Sequence, residues 1–204
     1  MLINFPAPSM PYDHIQLASA SPRRSQLLRQ IGVAHEVRPV HLDESRLAGE
    51  PPRDYVLRLA REKARAGVAL QSAVPVLGAD TTVALGDEIF AKPQDQEDAV
   101  RMLVALSGRT HDVLTAVALA NDGRLETAIS ETRVTFRAIT DAEYREYWAS
   151  GEPVDRAGAY AIQGFAAVFI ARLEGSYTGV MGLPLFETAA LLDAAGVRRW
   201  RGPA

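Results

Sequence analysis

Cysteine is absent from all 204 residues. Disulfides, thiolate nucleophiles and Cys-based zinc sites are therefore excluded. An excess of basic charge is missing too. At a net charge of −3 there is no global electrostatic case for a nucleic-acid polymer as partner. A polyanionic small ligand would need a local basic cluster or a metal. No Lys or Arg precedes Arg23, and Pro6, Pro8 and Pro11 crowd the start, so a secretory signal is not expected. Phe165 to Ala171, the longest apolar stretch in the C-terminal third, is far too short to span a bilayer. The expectation is a cytoplasmic protein without membrane contact. There is no Walker A pattern, no dinucleotide-binding glycine fingerprint and no HExxH. His14, His35, His41 and His111 show no metal-ligand spacing, and no Ser-His-Asp order carries an elbow motif.

What is present is ordinary for a folded chain, with 48% apolar and 23% charged residues. The length suits one large globular domain, or one domain with two lobes, over residues 14–197, with tails at 1–13 and 198–204. Ile15 to Ala18 reads as a short strand. Ser21 as N-cap and Pro22 at the first helical position open a helix that Gly32 ends. A second helix runs from about Pro52 to Leu70. Val76 to Leu85 is a strand, turned at Gly86-Asp87 into Glu88 to Ala91. A third helix covers Gln96 to Leu106, with Asp95 as N-cap. Strands over His111 to Ala120 and Leu125 to Ile139 join at Asn121-Asp122-Gly123. Thr140 and Glu143 form a capping box for a helix ending at Gly151. Ala159 to Ala161 and Ala166 to Ala171 read as further strands, and a last helix runs from Leu185 to Gly196. Helices alternate with strands and hairpins occur, so the class is α/β with a mixed sheet.

Several polar residues break these patterns. Ser19-Ala20-Ser21-Pro22-Arg23-Arg24 lies between a strand and a helix. Arg23 and Arg24 oppose the positive dipole end there, and a bound anion would offset the repulsion. Two solvated arginines are the plain alternative. Lys63 shares the inward stripe of Val56, Leu59, Ala60, Ala64 and Gly67. It either snorkels or meets an anion. Asp80 stands in the middle of an apolar strand, where a carboxylate must be paired, metal-bound or catalytic unless it bonds a loop from a strand end. Asp43-Glu44 can bind a divalent ion or be a solvated loop, and Lys92 alone is a loop lysine. Gln163 interrupts an apolar run, and a buried amide there needs backbone or ligand partners. Gly175-Ser176-Tyr177 and Gly182-Leu183-Pro184 look like turns.

Taken together, these blocks closely resemble the Maf (septum formation inhibitor) family of nucleotide pyrophosphatases. The matching segments are Leu17 to Arg24, Asp43-Glu44, Leu59 to Ala64, Gly78 to Thr81, Lys92-Pro93, Ser107 to His111, Ala157 to Gly164, Gly175 to Tyr177 and Gly182 to Pro184. They run in order over nearly the whole chain. The resemblance implies an inosine-triphosphatase-like fold, in which a long twisted mixed sheet separates two lobes around a central cleft. It also implies Mg²⁺ or Mn²⁺, a cytoplasmic location and a homodimer. A branch similar at three specificity positions, here Arg23, Thr81 and Gln163, takes dTTP and UTP. Two departures stand out. Asp155-Arg156 replaces the usual Asp-Lys, which puts a phosphate role there in doubt. Gly179 replaces a larger residue, which would loosen the cleft floor.

On this reading Ser19, Arg23, Arg24, Lys63, Thr81, Lys92 and Gln163 bind substrate. Glu44 and Asp80 are hard oxygen ligands for the metal. Asp80 is the catalytic group, as base or as metal-held activator of water. The expected reaction releases nucleoside monophosphate and pyrophosphate from dTTP or UTP. The alternatives are the same chemistry on a methylated nucleotide, or a non-enzymatic nucleotide-binding regulator of cell division.

Overall fold

A computed structural model describes residues 11–70 and 72–200. Residues 1–10 and 201–204, which hold most of the two expected tails, lie outside that set. Tyr12 forms a parallel bridge with Val197, and the Arg198 N–H donates to the Tyr12 carbonyl at 2.9 Å.

The first elements are β1 (Ile15–Leu17), α1 (Pro22–Gln30), β2 (His35–Val37) and α2 (Pro52–Ala69). The sheet continues through β3 (Val76–Leu85) and β4 (Glu88–Phe90), and α3 (Gln96–Leu106) follows. A long hairpin, β5 (Thr110–Asn121) and β6 (Arg124–Phe136), leads to α4 (Asp141–Ala149). The chain closes with β7 (Ile170–Glu174), α5 (Tyr177–Met181) and α6 (Leu185–Ala194). Ser21 stands at the N-cap of α1 but its side chain makes no capping bond, whereas the other two expected caps are in place. Asp95 accepts from the Asp98 N–H at 2.8 Å, and Thr140 and Glu143 complete a reciprocal capping box.

The seven strands form one mixed sheet in the order β2-β1-β3-β5-β6-β7, with β4 alongside β3. β1 runs parallel to β2 and β3, and the remaining pairs are antiparallel. β1 pairs with β3 only at Val76 and Leu77, whereas β4 pairs with it from Val83 onward. Residues 78–82 therefore have a strand neighbour only on the β5 side. This gap in the sheet edge is where the cleft enters.

Period-two alternation sends neighbouring residues of β3 to opposite faces. One face lies under α2, where Val56, Ala60 and Ala64 pack on Val76, Leu114, Ala116 and Ala118. The other face carries two separate clusters. Leu77, Ala79, Val117 and Leu119 pack with α1 and α6, while Val83, Val113 and Phe136 pack with α3 and α4. Thr81 and Thr115 lie between those clusters, so a polar seam divides the two lobes. Asp80 falls on the α2 face. The helix sits very close there. A Cβ on Gly78 would stand 2.5 Å from the Ala64 nitrogen and closer still to the Ala60 carbonyl. Only glycine admits that approach.

Three sequence expectations are corrected. Ala159–Ala161 is not a strand: Gly158 and Ala159 have φ of 68° and 58°, outside any extended conformation. Ala166 to Phe169 is a 3₁₀ turn, and pairing with β6 starts only at Ile170. The amides of Phe165 and Ala166 donate to the Glu152 carboxylate and are not available to a sheet ladder. Tyr177, read as part of a Gly175-Ser176-Tyr177 turn, instead opens a one-turn helix, Tyr177–Met181, capped by Ser176.

His111 lies buried in the α3–α4 lobe, with Nε2 2.9 Å from the Tyr160 hydroxyl and Nδ1 without a partner among the described residues. Burial pulls its pKa from 6.5 down to about 4. The sign follows directly. Below pH 6.5 the unfolded chain takes up a proton that the native imidazole refuses until about pH 4, so stability falls across that window. The contribution lost between pH 7.5 and 5 is about 2 kcal/mol. Urea unfolding of wild type and His111→Phe at both pH values checks this. The variant loses that part of the acid sensitivity, and an unchanged slope refutes the assignment.

Candidate active site

The cleft encloses about 820 Å³, a size suited to a nucleotide. Its floor is the β3 gap. The α1 start and the loop around Glu44 line one side, and Lys92, Asp155, Arg156 and Gln163 line the other.

Lys63 does not snorkel. Its Nζ donates to Asp80 Oδ1 at 2.7 Å and pairs with Glu44 Oε1 at 2.7 Å. The helical spacing of α2 puts Lys63 over β3, and the Gly78 approach brings the ammonium within reach of Asp80. Asp80 is 7% exposed, while the Glu44 side chain is 51% exposed. Burial pushes the Asp80 carboxyl above the usual range, against the pull of Lys63 and Arg24. Its Oδ2 has no hydrogen-bond partner among the described residues. Asp43 also lines the cleft, and its carboxylate accepts from the Ser45 N–H at 2.9 Å.

The two arginines differ. Arg24 is tied to the protein on three sides: Nε to the Gly182 carbonyl at 2.8 Å, Nη1 to Ser19 Oγ at 3.0 Å and Nη2 to Thr81 Oγ1 at 3.3 Å. It brackets α1, β3 and the turn before α6. Arg23 lines the cleft with no acceptor among the described residues. Ser19 Oγ accepts from Arg24 and from the Ser21 N–H, which leaves its own proton to donate. Lys92 is ion-paired with Asp155, both exposed. Such a pair is weak and opens easily. Arg156 lines the cleft with its Nε buried and unpartnered.

Two expectations change, one about base recognition and one about the cleft floor. Gln163 lines the cleft but is exposed, because the run around it turns instead of entering the sheet. Gly179 does not loosen the floor, since a Cβ there would stand 3.1 Å from Ser130 Oγ and Ser176 Cβ.

Thr115 was not anticipated. It is fully buried directly opposite Thr81 on β5. Its Oγ1 lies 2.7 Å from the Gly179 carbonyl, which accepts, and 3.0 Å from Thr81 Oγ1. One hydroxyl has one proton. Thr115 shares it between the Gly179 carbonyl and Thr81, and Thr81 also accepts from Arg24. Thr81 thus accepts twice and keeps its own hydroxyl proton to donate. The signal was a cross-strand Thr–Thr pair, visible once the hairpin register is known. Tyr55 also lines the cleft, its hydroxyl donating to the Glu44 carbonyl at 2.9 Å.

The family model described as Maf-like protein matches residues 14–195. The chain belongs to the Maf family. A dTTP/UTP pyrophosphatase of Saccharophagus degradans is 52% identical over 191 residues, covering 92% of this Maf chain and 91% of its own length. A dTTP/UTP pyrophosphatase of Bordetella avium is 53% identical over 194 residues, with 90% and 96% covered. One from Alkalilimnicola ehrlichii is 54% identical over 186 residues, with 88% and 92% covered. Among solved structures, the Staphylococcus aureus Ham1 protein aligns over 89% of this chain and 97% of its own, at 11% identity and a TM-score of 0.46. That likeness is loose. The α/β description of this Maf protein rests on its own mixed sheet and cleft.

Proposed function

We propose that this protein hydrolyses dTTP and UTP to the nucleoside monophosphate and pyrophosphate. The observation that carries the reading is the Asp80–Lys63–Glu44 cluster, set at the floor of a cleft lined by Arg23, Lys92 and Arg156. A polyanion entering there meets cations whose protein partners are weak or absent, with a carboxylate of raised pKa beneath them. The names of the relatives favour the same substrates.

In this reading Asp80 takes a proton from water through Oδ2 while Lys63 holds Oδ1. The water oxygen bonds to the α-phosphorus and the bond to the α,β-bridging oxygen breaks. The electron pair leaves on pyrophosphate, held by Arg23, Lys92 and Ser19. Arg24 acts through Ser19 and Thr81, fixing both.

A divalent ion belongs to the proposal. Among the described residues no group of three or more His, Asp or Glu side chains can hold a metal. Glu44 and Asp80 supply two carboxylates, already shared with one ammonium. Such a donor set fits Mg²⁺ or Mn²⁺ that arrives on the triphosphate and completes its shell with phosphate oxygens and water. The bound ion would neutralise phosphate charge and acidify water.

The proposal extends to a cytoplasmic homodimer. Among the described residues no helix is long and apolar enough to cross a membrane. Phe186, 85% exposed at the start of α6, is an apolar side chain that a second copy would cover.

The test is a nucleotide panel with Mg²⁺, including UTP, dTTP, CTP and a methylated guanosine triphosphate, with products identified by mass. UMP and dTMP plus pyrophosphate are expected. Diphosphate plus orthophosphate would overturn attack at the α-phosphorus. Chelator should abolish turnover and Mg²⁺ restore it, whereas full turnover in excess chelator refutes the metal.

A further inference from the structure

Gln163 sits at the cleft wall on a turn, exposed, and its side chain has no hydrogen bond among the described residues. A freely rotating amide on a loose turn cannot discriminate a uracil or thymine edge from a cytosine edge. It can flip to exchange donor and acceptor. Thr81, the neighbour expected to help fix it, accepts from Arg24 and Thr115 and makes no hydrogen bond to Gln163 among the described residues. A bound base can orient the amide only if the turn delivers it to one place at the base edge, so the Gln163 backbone must be held.

We infer that Glu152, with Tyr147, is the positioning device for Gln163 and thereby a determinant of base selectivity. This rests on Gln163 as the base-reading residue. The geometry brackets Gln163 on both sides. Before it, the Ala161 N–H donates to the Tyr147 hydroxyl at 3.2 Å, and that hydroxyl donates to Glu152 Oε1 at 2.8 Å. After it, the Ala166 N–H donates to Oε1 at 3.1 Å and the Phe165 N–H to Oε2 at 2.9 Å. One carboxylate thus collects three donors, two directly from the turn and one relayed. Carboxylate acceptors make stronger bonds to backbone amides than neutral ones do. Tyr147 is buried against Phe169, their ring centroids 5.3 Å apart, so the bracket is anchored in the α3–α4 lobe.

Gly164 supplies an independent sign that the carboxylate is meant to be there. Its φ is −115°, outside the left-handed region that favours glycine. A Cβ at that position would nevertheless overlap the Glu152 carboxylate. The bracket as it stands leaves no room for a side chain at this position.

The experiment compares kcat/KM for UTP, dTTP and CTP in wild type, Glu152→Gln, Gly164→Ala and Gln163→Glu. All are assayed at a temperature where near-UV circular dichroism shows each folded. Glu152→Gln has one acceptor oxygen and an NH₂ facing donors, so at least one of the three bonds is lost. Gly164→Ala displaces the carboxylate without removing it. Both should lower the UTP-to-CTP ratio about fivefold or more, mainly through KM for UTP. Gln163→Glu repels O4 of uracil and accepts from the cytosine amine, so it should lower the ratio further. A ratio that falls in Gln163→Glu but stays at the wild-type value in the other two overturns the role of Glu152 alone. A ratio unchanged in Gln163→Glu overturns base reading by Gln163, and the Glu152 assignment with it. A merely structural role for Glu152 would lower all three nucleotides alike.

Discussion

Asp80→Asn is expected to cut turnover at least about 100-fold, the scale of a lost general base, without lowering the melting temperature. The amide is nearly isosteric but neutral, and it cannot take a proton. The stability side follows from the sign of the shift. Burial raises the Asp80 pKa above its unfolded value, so the native state binds more protons than the unfolded state. That contribution is favourable at low pH and lost as pH rises through the native value. At neutral pH the ionised carboxylate is therefore a cost, which asparagine removes, and Lys63 keeps Glu44 as partner. Pyrophosphate release and thermal melts at pH 7 read both effects. A near wild-type rate with normal melting eliminates Asp80 as the catalytic group.

Lys63→Met has the next largest expected effect, and it touches both stability and rate. Methionine keeps the apolar stem but deletes the cation between two carboxylates. Breaking a buried pair from one side costs about 3 kcal/mol, tempered here because Asp80 can take up a proton. That protonation is also the kinetic effect. Without Lys63 the Asp80 pKa rises further, so the acidic limb of the kcat/KM profile should move to higher pH. Loss at neutral pH should be about 100-fold, with partial recovery in alkaline buffer. The double variant Lys63→Met with Asp80→Asn should regain part of the lost stability, because no buried charge is left unpaired. Unchanged kinetics and higher stability in the single variant would remove Lys63 from the catalytic machinery.

The features legible in the sequence are those set by local periodicity. Lys63 falls on the buried stripe of α2 because helical spacing alone puts it there, and Asp80 stands out because one carboxylate breaks an apolar strand. The α3 and α4 boundaries follow from caps a few residues away. What stayed hidden depends on partners distant in sequence. Ala166 to Phe169 has strand-like composition, but Glu152 takes the amides that a sheet would need. β2 is three residues long, with a polar sequence, and exists only through its parallel pairing with β1. Arg23 and Arg24 look equivalent side by side, yet only the fold supplies Gly182 as an acceptor for one of them. Thr115 gains meaning only through its register with Thr81.

The contact at Gly78 also limits how this protein can be made more robust. Replacing glycine with alanine inside regular structure is a common route to thermostability, because it restrains the unfolded chain. Here that route is closed. The added methyl meets the backbone of α2, which cannot rotate aside as a side chain would. The helix would have to lift from the strand, and the fixed length of the lysine stem could not follow it down to Asp80. An engineer hardening this protein against heat should leave that seam alone. The better targets are exposed positions such as Gly49, where nothing lies within 4 Å of an added Cβ, although a φ of +70° there favours asparagine over alanine.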